Sequence, residues 1–109
     1  MQADVLRDLV VNTLEDRQAQ RIQVLDVRGY NSIADFFIIA SGTSSRHVTA
    51  TAEAVALQAK QSGEPALGQE GLQAGEWALI DLDAVIVHVM QEPVREYYQL
   101  EKLWSPAPT

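Results

Sequence analysis

Asp81 and Asp83 are the two carboxylates in this chain best spaced for metal chemistry. Residues two apart on a strand point to one face, and two carboxylates there can share a Mg²⁺. Nucleotidyl transfer uses such a pair shortly after a Gly-Ser helix start. Gly42-Thr43 opens a helix here, but Asp81 follows Gly42 by 39 residues, with a helix, a Gly-rich loop and a strand between. No third carboxylate with clear strand placement follows. Asp83 also falls where a turn is expected, and Asp is a common turn residue in its own right. A small Mg-dependent nucleotidyltransferase-like enzyme using Asp81 and Asp83 is therefore an alternative reading. The leading reading has no enzyme activity, no cofactor and no metal.

The histidines offer less. His88 sits in the apolar run Ile86-Val87-His88-Val89-Met90, a setting for a hydrogen-bonded packing residue, and no Ser or Cys nucleophile is placed near it. His47 falls in the first turns of a helix beside Arg46. With Ser44 and Ser45, Arg46 can bind a phosphate at a helix N-terminus, although an exposed cap with a surface arginine explains the same residues. Gly68, Gly71 and Gly75 lack the spacing of a phosphate loop, and no Lys follows them. The chain has no cysteine, which removes disulfides, thiolate metal sites and cysteine nucleophiles together.

The elements that must position these residues follow from periodicity. Residues 3–20 read as an amphipathic helix, with Leu6, Leu9, Val10, Thr13 and Leu14 at helical spacing. Residues 21–27 read as a strand, Gly29-Tyr30-Asn31-Ser32 as a turn, and residues 35–40 as a central strand apolar on both faces. Ser41 to Ser45 open a helix that runs to about Ser62, with Val48, Ala52, Val55 and Ala59 in one stripe. Gly63 stops it, and Pro65 follows. Residues 64–75 read as loop. Trp77–Leu82 and Val85–Met90 form an antiparallel hairpin about Asp83-Ala84. Pro93 suits the start of a last helix through Trp104. The fold class is α/β: a two-layer single domain over 1–104 with a mixed β-sheet flanked by helices, then a short tail, 105–109, with Pro106 and Pro108.

A two-residue turn at Asp83-Ala84 sets Ala78 opposite Val89, Ile80 opposite Val87 and Leu82 opposite Val85, an all-apolar core face. The other face pairs Asp81 with Ile86, Leu79 with His88 and Trp77 with Met90. The final helix adds Tyr97, Tyr98, Leu100, Leu103 and Trp104. Tyr and Trp give large contact area with few rotatable bonds and are enriched at binding hot spots.

The balance of 8 Lys plus Arg against 15 Asp plus Glu leaves a net charge of −7 in 109 residues. That argues against sequence-independent nucleic-acid binding, which needs bases to neutralise phosphates, and leaves basic proteins as natural partners. Five acids and no base lie from Glu64 to Asp83: Glu64, Glu70, Glu76, Asp81 and Asp83. They form either a solvated loop or a docking surface. The opening residues lack the pattern of a secretory signal, and no run approaches the roughly 18 apolar residues of a membrane span. A cytoplasmic protein without a membrane partner is the expectation.

Four ordered motifs carry a resemblance: Asp35-Phe36-Phe37-Ile38-Ile39-Ala40-Ser41-Gly42-Thr43-Ser44-Ser45-Arg46-His47-Val48; Gly75-Glu76-Trp77; Val85 to Met90; and Arg95-Glu96-Tyr97-Tyr98-Gln99-Leu100-Glu101-Lys102-Leu103-Trp104. Across about residues 20–104 the chain resembles the ribosomal silencing factor, or Iojap-like, family. The resemblance implies a nucleotidyltransferase-like fold without the catalytic set. It implies binding to the fourteenth protein of the large ribosomal subunit, which blocks small-subunit joining and dampens translation under nutrient limitation or in stationary phase. It places the contact on Trp77, Tyr98, Leu100 and nearby positions, and with the aromatic region isolated above the expected partner surface is Trp77, Asp81, His88, Met90, Tyr97, Tyr98, Leu100, Glu101 and Lys102; the acidic balance adds the expectation of little or no direct nucleic-acid binding. The family's common Gly-Asp is replaced here by Asp83-Ala84. A plain homodimerisation module using the same apolar face is a further alternative.

Overall fold

Two helices cover one face of a five-stranded sheet in the computed structural model, which describes residues 1–29 and 33–104. In chain order the elements are α1 (Ala3–Asp16), β1 (Gln20–Asp26), β2 (Phe36–Gly42), α2 (Ser45–Gln61), β3 (Gly68–Glu70), β4 (Trp77–Asp81), β5 (Val85–Gln91), α3 (Glu92–Tyr98) and α4 (Leu100–Trp104). The strands lie in the order β1-β2-β5-β4-β3. Only β2 and β5 run parallel, so the sheet is mixed as expected.

β2 is buried at every position, which its unbroken apolar run demands of a strand covered on both faces. One core cluster joins Leu6, Val10 and Leu14 of α1 and Val48, Ala52, Val55 and Ala59 of α2 to the sheet face carrying Phe36, Ile38, Ile80 and Val87. A smaller cluster on the opposite face holds Leu25, Phe37, Ile39, Ile86, Met90 and Leu100, with Trp77, Leu79 and Val94 packed at its margin. α2 starts where its Ser cluster says it should: the Ser44 hydroxyl accepts the His47 N–H at 3.0 Å. It ends at Gln61, with Gly63 beyond at φ +87°.

Several boundaries differ from the reading of the sequence: Ser41 and Gly42, read there as part of the helix opening, complete β2 opposite Met90 and Gln91. α1 stops at Asp16, short of residue 20: its buried stripe ends at Leu14, and Gln18 turns into the left-handed region at φ +62°. Within 64–75, read as loop, Gly68–Glu70 forms an edge strand on β4. A three-residue strand has no apolar alternation to announce it, and the free edge of β4 supplies the pairing. The single last helix is two, broken at Gln99 in the left-handed region at φ +50°. An unbroken helix would set Leu100 about 140° round from Arg95; the break brings both into the interior. All but Gly29 of the turn expected at Gly29-Tyr30-Asn31-Ser32, and the tail with Pro106 and Pro108, lie outside the described residues.

Candidate functional site

The β4–β5 hairpin has the register that a two-residue turn dictates: Trp77 opposite Met90, Leu79 opposite His88, Asp81 opposite Ile86. The Leu82 N–H donates to the Val85 carbonyl at 2.9 Å across the turn. Asp83 adopts φ +72°, a conformation Asp tolerates better than most residues, and its N–H donates to Asp81 Oδ1 at 2.9 Å. Asp81 thus braces the turn through a short local bond. Among the described residues no group of three or more His, Asp or Glu could hold a metal ion.

On the hairpin face away from α1 and α2, a row of rings climbs from core to surface. Phe37 meets His88 edge-on at 5.9 Å between centroids. His88 lies 5.9 Å from Trp77 and accepts its indole Nε1–H at Nδ1, 3.0 Å away. Trp77 packs on Tyr98 at 4.9 Å, and Tyr98 meets Tyr97 at 5.0 Å in a T-shaped contact. Exposure rises along the row: His88 is 7% exposed, Trp77 half-buried, Tyr98 50% and Tyr97 81% exposed. Burial pushes the His88 imidazole down to about 4, so the ring is neutral at pH 7.

The supports of this row come from elsewhere in the chain. The loop before Trp77 is tied to α2 and β5: Gln91 Nε2 donates to the Gly75 carbonyl at 2.8 Å and to Ser45 Oγ at 3.0 Å. The Thr49 hydroxyl donates to the Leu72 carbonyl at 2.6 Å. Gly75 has φ +70°, and a side chain there would stand 2.6 Å from the Ser45 carbonyl. On α3, two residues before Tyr97, Arg95 is 3% exposed. Its Nη1 donates to Ser41 Oγ at 2.8 Å, and its Nε donates to the Glu101 carboxylate across the α3–α4 break. At the surface Arg21 of β1 bonds Glu92 and Glu96 of α3 at 2.5 and 3.1 Å.

Of the residues singled out in the sequence, Trp77, His88, Tyr97 and Tyr98 form this row. Met90 and Leu100 lie under it in the smaller core cluster, Met90 at 0% exposure. Asp81 stands at the hairpin's far end, about 13 Å along β4 from Trp77 at strand rise. Glu101 is held by Arg95, whereas Lys102 is exposed. His47 ties two helices together: Nδ1 accepts the Thr43 N–H at 2.9 Å, and Nε2 faces the Arg17 carbonyl at the end of α1 at 2.8 Å. The supporting roles of Arg95, Gln91 and Gly75 escape a reading of the sequence. Their partners lie on other elements, and although Gly75 and Arg95 each fall in one of the four motifs, nothing local shows what they hold.

Fold and row together define a class: a single α/β domain with a mixed five-stranded sheet that carries an aromatic cluster from its core to one surface. A family model described as "Ribosomal silencing factor during starvation" matches residues 2–109. The chain belongs to the ribosomal silencing factor family. It is 43% identical over 100 residues to the ribosomal silencing factor RsfS of Haemophilus influenzae, covering 92% of this chain and 98% of that protein. It is 41% identical over 104 residues to the factor of the same name from Halalkalibacterium halodurans, covering 95% and 89%. A mouse protein named for mitochondrial assembly of the ribosomal large subunit is 34% identical over 101 residues, covering 90% of this chain and 44% of that protein. Among solved structures, a Chromobacterium violaceum protein superposes with a TM-score of 0.94 at 37% identity, over all of this chain and 92% of that one.

Proposed function

We propose that this protein dampens translation under nutrient limitation or in stationary phase. It binds the large ribosomal subunit through that subunit's basic fourteenth protein and blocks joining of the small subunit by its bulk. The observation that carries this reading is the pair Tyr97 and Tyr98, exposed yet seated on a fixed base of Trp77 and His88. Aromatic anchors that are rigid before contact are the usual centre of a binding hot spot. The family membership and the mouse relative's name support the ribosome as the setting.

Trp77, Tyr97 and Tyr98 form the apolar centre of the contact, with Met90 and Leu100 packing from beneath. Asp81, Glu101 and Lys102 stand at its polar margin. The acids from Glu64 to Asp83 favour a basic protein over ribosomal RNA as the surface met. No chemical step is required, because occupation of the site is itself the effect. The protein acts in the cytoplasm, and among the described residues no helix is long and apolar enough to cross a membrane.

The test is co-sedimentation with purified large subunits. Trp77→Ala and Tyr98→Ala should each weaken binding by about 2 kcal/mol, roughly thirtyfold, without unfolding the chain. Full binding by both folded variants would remove this surface.

A further inference from the structure

Trp77 has the largest side chain at the proposed contact, and its orientation is set from below. The register that places Leu79 opposite His88 makes Trp77 and His88 diagonal neighbours on one sheet face. β5 lies between β2 and β4, and His88 is wedged against the edge of Phe37 at 69° between ring planes. A ring so enclosed has little freedom to turn. Accepting the indole N–H at Nδ1 places its own proton on Nε2. Every other residue from Val85 to Met90 is apolar, so packing alone does not call for an imidazole at position 88. A flat body with an acceptor at its near edge is what Trp77 requires, and Leu or Val does not supply it.

An indole lying on a sheet can turn over about its outer side-chain torsion. The orientation that aims Nε1 at His88 pairs the N–H within the protein, and that is the orientation on which Tyr98 packs at 4.9 Å. We infer that His88 is a positioning residue for the partner contact. It does not itself meet the partner, but fixes the Trp77 indole so that the Tyr97–Tyr98 surface is formed before the partner arrives. The inference rests on the proposed function for its consequence, though the positioning is measurable in the free protein. A preset ring loses less freedom on binding, and an indole N–H already paired costs nothing more to cover.

The experiment pairs NMR of the indole N–H protons with binding to purified large subunits. It uses His88→Leu, His88→Val and His88→Asn, and Trp77→Phe assigns the Trp77 resonance by its loss. Asn Oδ1 occupies nearly the place of Nδ1, so His88→Asn keeps the acceptor, while the two apolar variants lack it. The expected result is a downfield, slowly exchanging Trp77 N–H in the wild type and His88→Asn, shifted and fast-exchanging in whichever apolar variant folds. Affinity should fall about three- to tenfold in the apolar variant and recover in His88→Asn. An unmoved resonance in a folded apolar variant overturns the positioning. A moved resonance with undiminished binding, while Trp77→Ala still weakens binding, overturns its consequence. Full binding by Trp77→Ala itself would overturn the contact surface instead, and the resonance would then decide the positioning alone.

Discussion

His88 and Arg95 are the two buried polar residues that join the core to the aromatic surface, and each is buried for a different reason. Arg95 is surrounded by acceptors, from Ser41 on β2 and Glu101 on α4. His88 meets no charged partner; desolvation lowers its proton affinity from the ordinary 6.5 to about 4, and Nδ1 accepts the Trp77 indole N–H. The unfolded chain therefore takes up a proton at His88 before the folded chain does. The stability His88 contributes is complete above about pH 6.5 and is lost as the pH falls toward 4, by on the order of 3 kcal/mol. Urea unfolding of the wild type and His88→Leu between pH 4 and 7 should show the wild type losing ground to the variant as pH falls. A constant difference across that range would contradict the assignment. At this scale the sequence was partly legible. A histidine in an all-apolar strand already reads as a hydrogen-bonded packing residue, because no solvent is available to satisfy it. The burial of Arg95 was not legible, since arginines are seldom fully buried and its two partners lie on other elements.

Among the elements, those held by local rules are where the sequence places them. α2 has an N-cap, a continuous apolar stripe and a glycine stop, and the hairpin has two alternating strands about a two-residue turn. Those held by neighbours are not. β3 exists because β4 offers an edge, and the break at Gln99 exists because Leu100 and Arg95 both face inward. The loop leading into β4 is the element on which the site depends most. Gly75 approaches the start of α2 so closely that any Cβ collides with the Ser45 backbone, and its φ of +70° disfavours a side chain in any case. Gly75→Ala should cost about 2 kcal/mol or more in thermal unfolding. It should also weaken subunit binding, because the loop ends one residue before Trp77. An unchanged melting temperature would show that the loop is free of α2.

For the whole molecule, the mixed sheet divides the labour. One face is closed by α1 and α2, and the other is covered in part by α3 and α4, which leave the aromatic row reaching the surface. The α/β class and the all-apolar hairpin face follow from periodicity, but the order of strands does not. The parallel pairing of β2 with β5 joins residues far apart in the chain, and it is what brings Phe37 against His88. On the proposed function, the net charge of −7 and the acids clustered from Glu64 to Asp83 favour a basic protein over nucleic acid as the surface met. The most direct measurement is light scattering of purified small and large subunits as they join. Added wild-type protein should suppress joining in proportion to the large subunits it occupies, and a folded Trp77→Ala/Tyr98→Ala double variant should leave joining intact. Joining that proceeds unimpeded with the wild type, or is suppressed equally by the double variant, would contradict silencing through this aromatic surface.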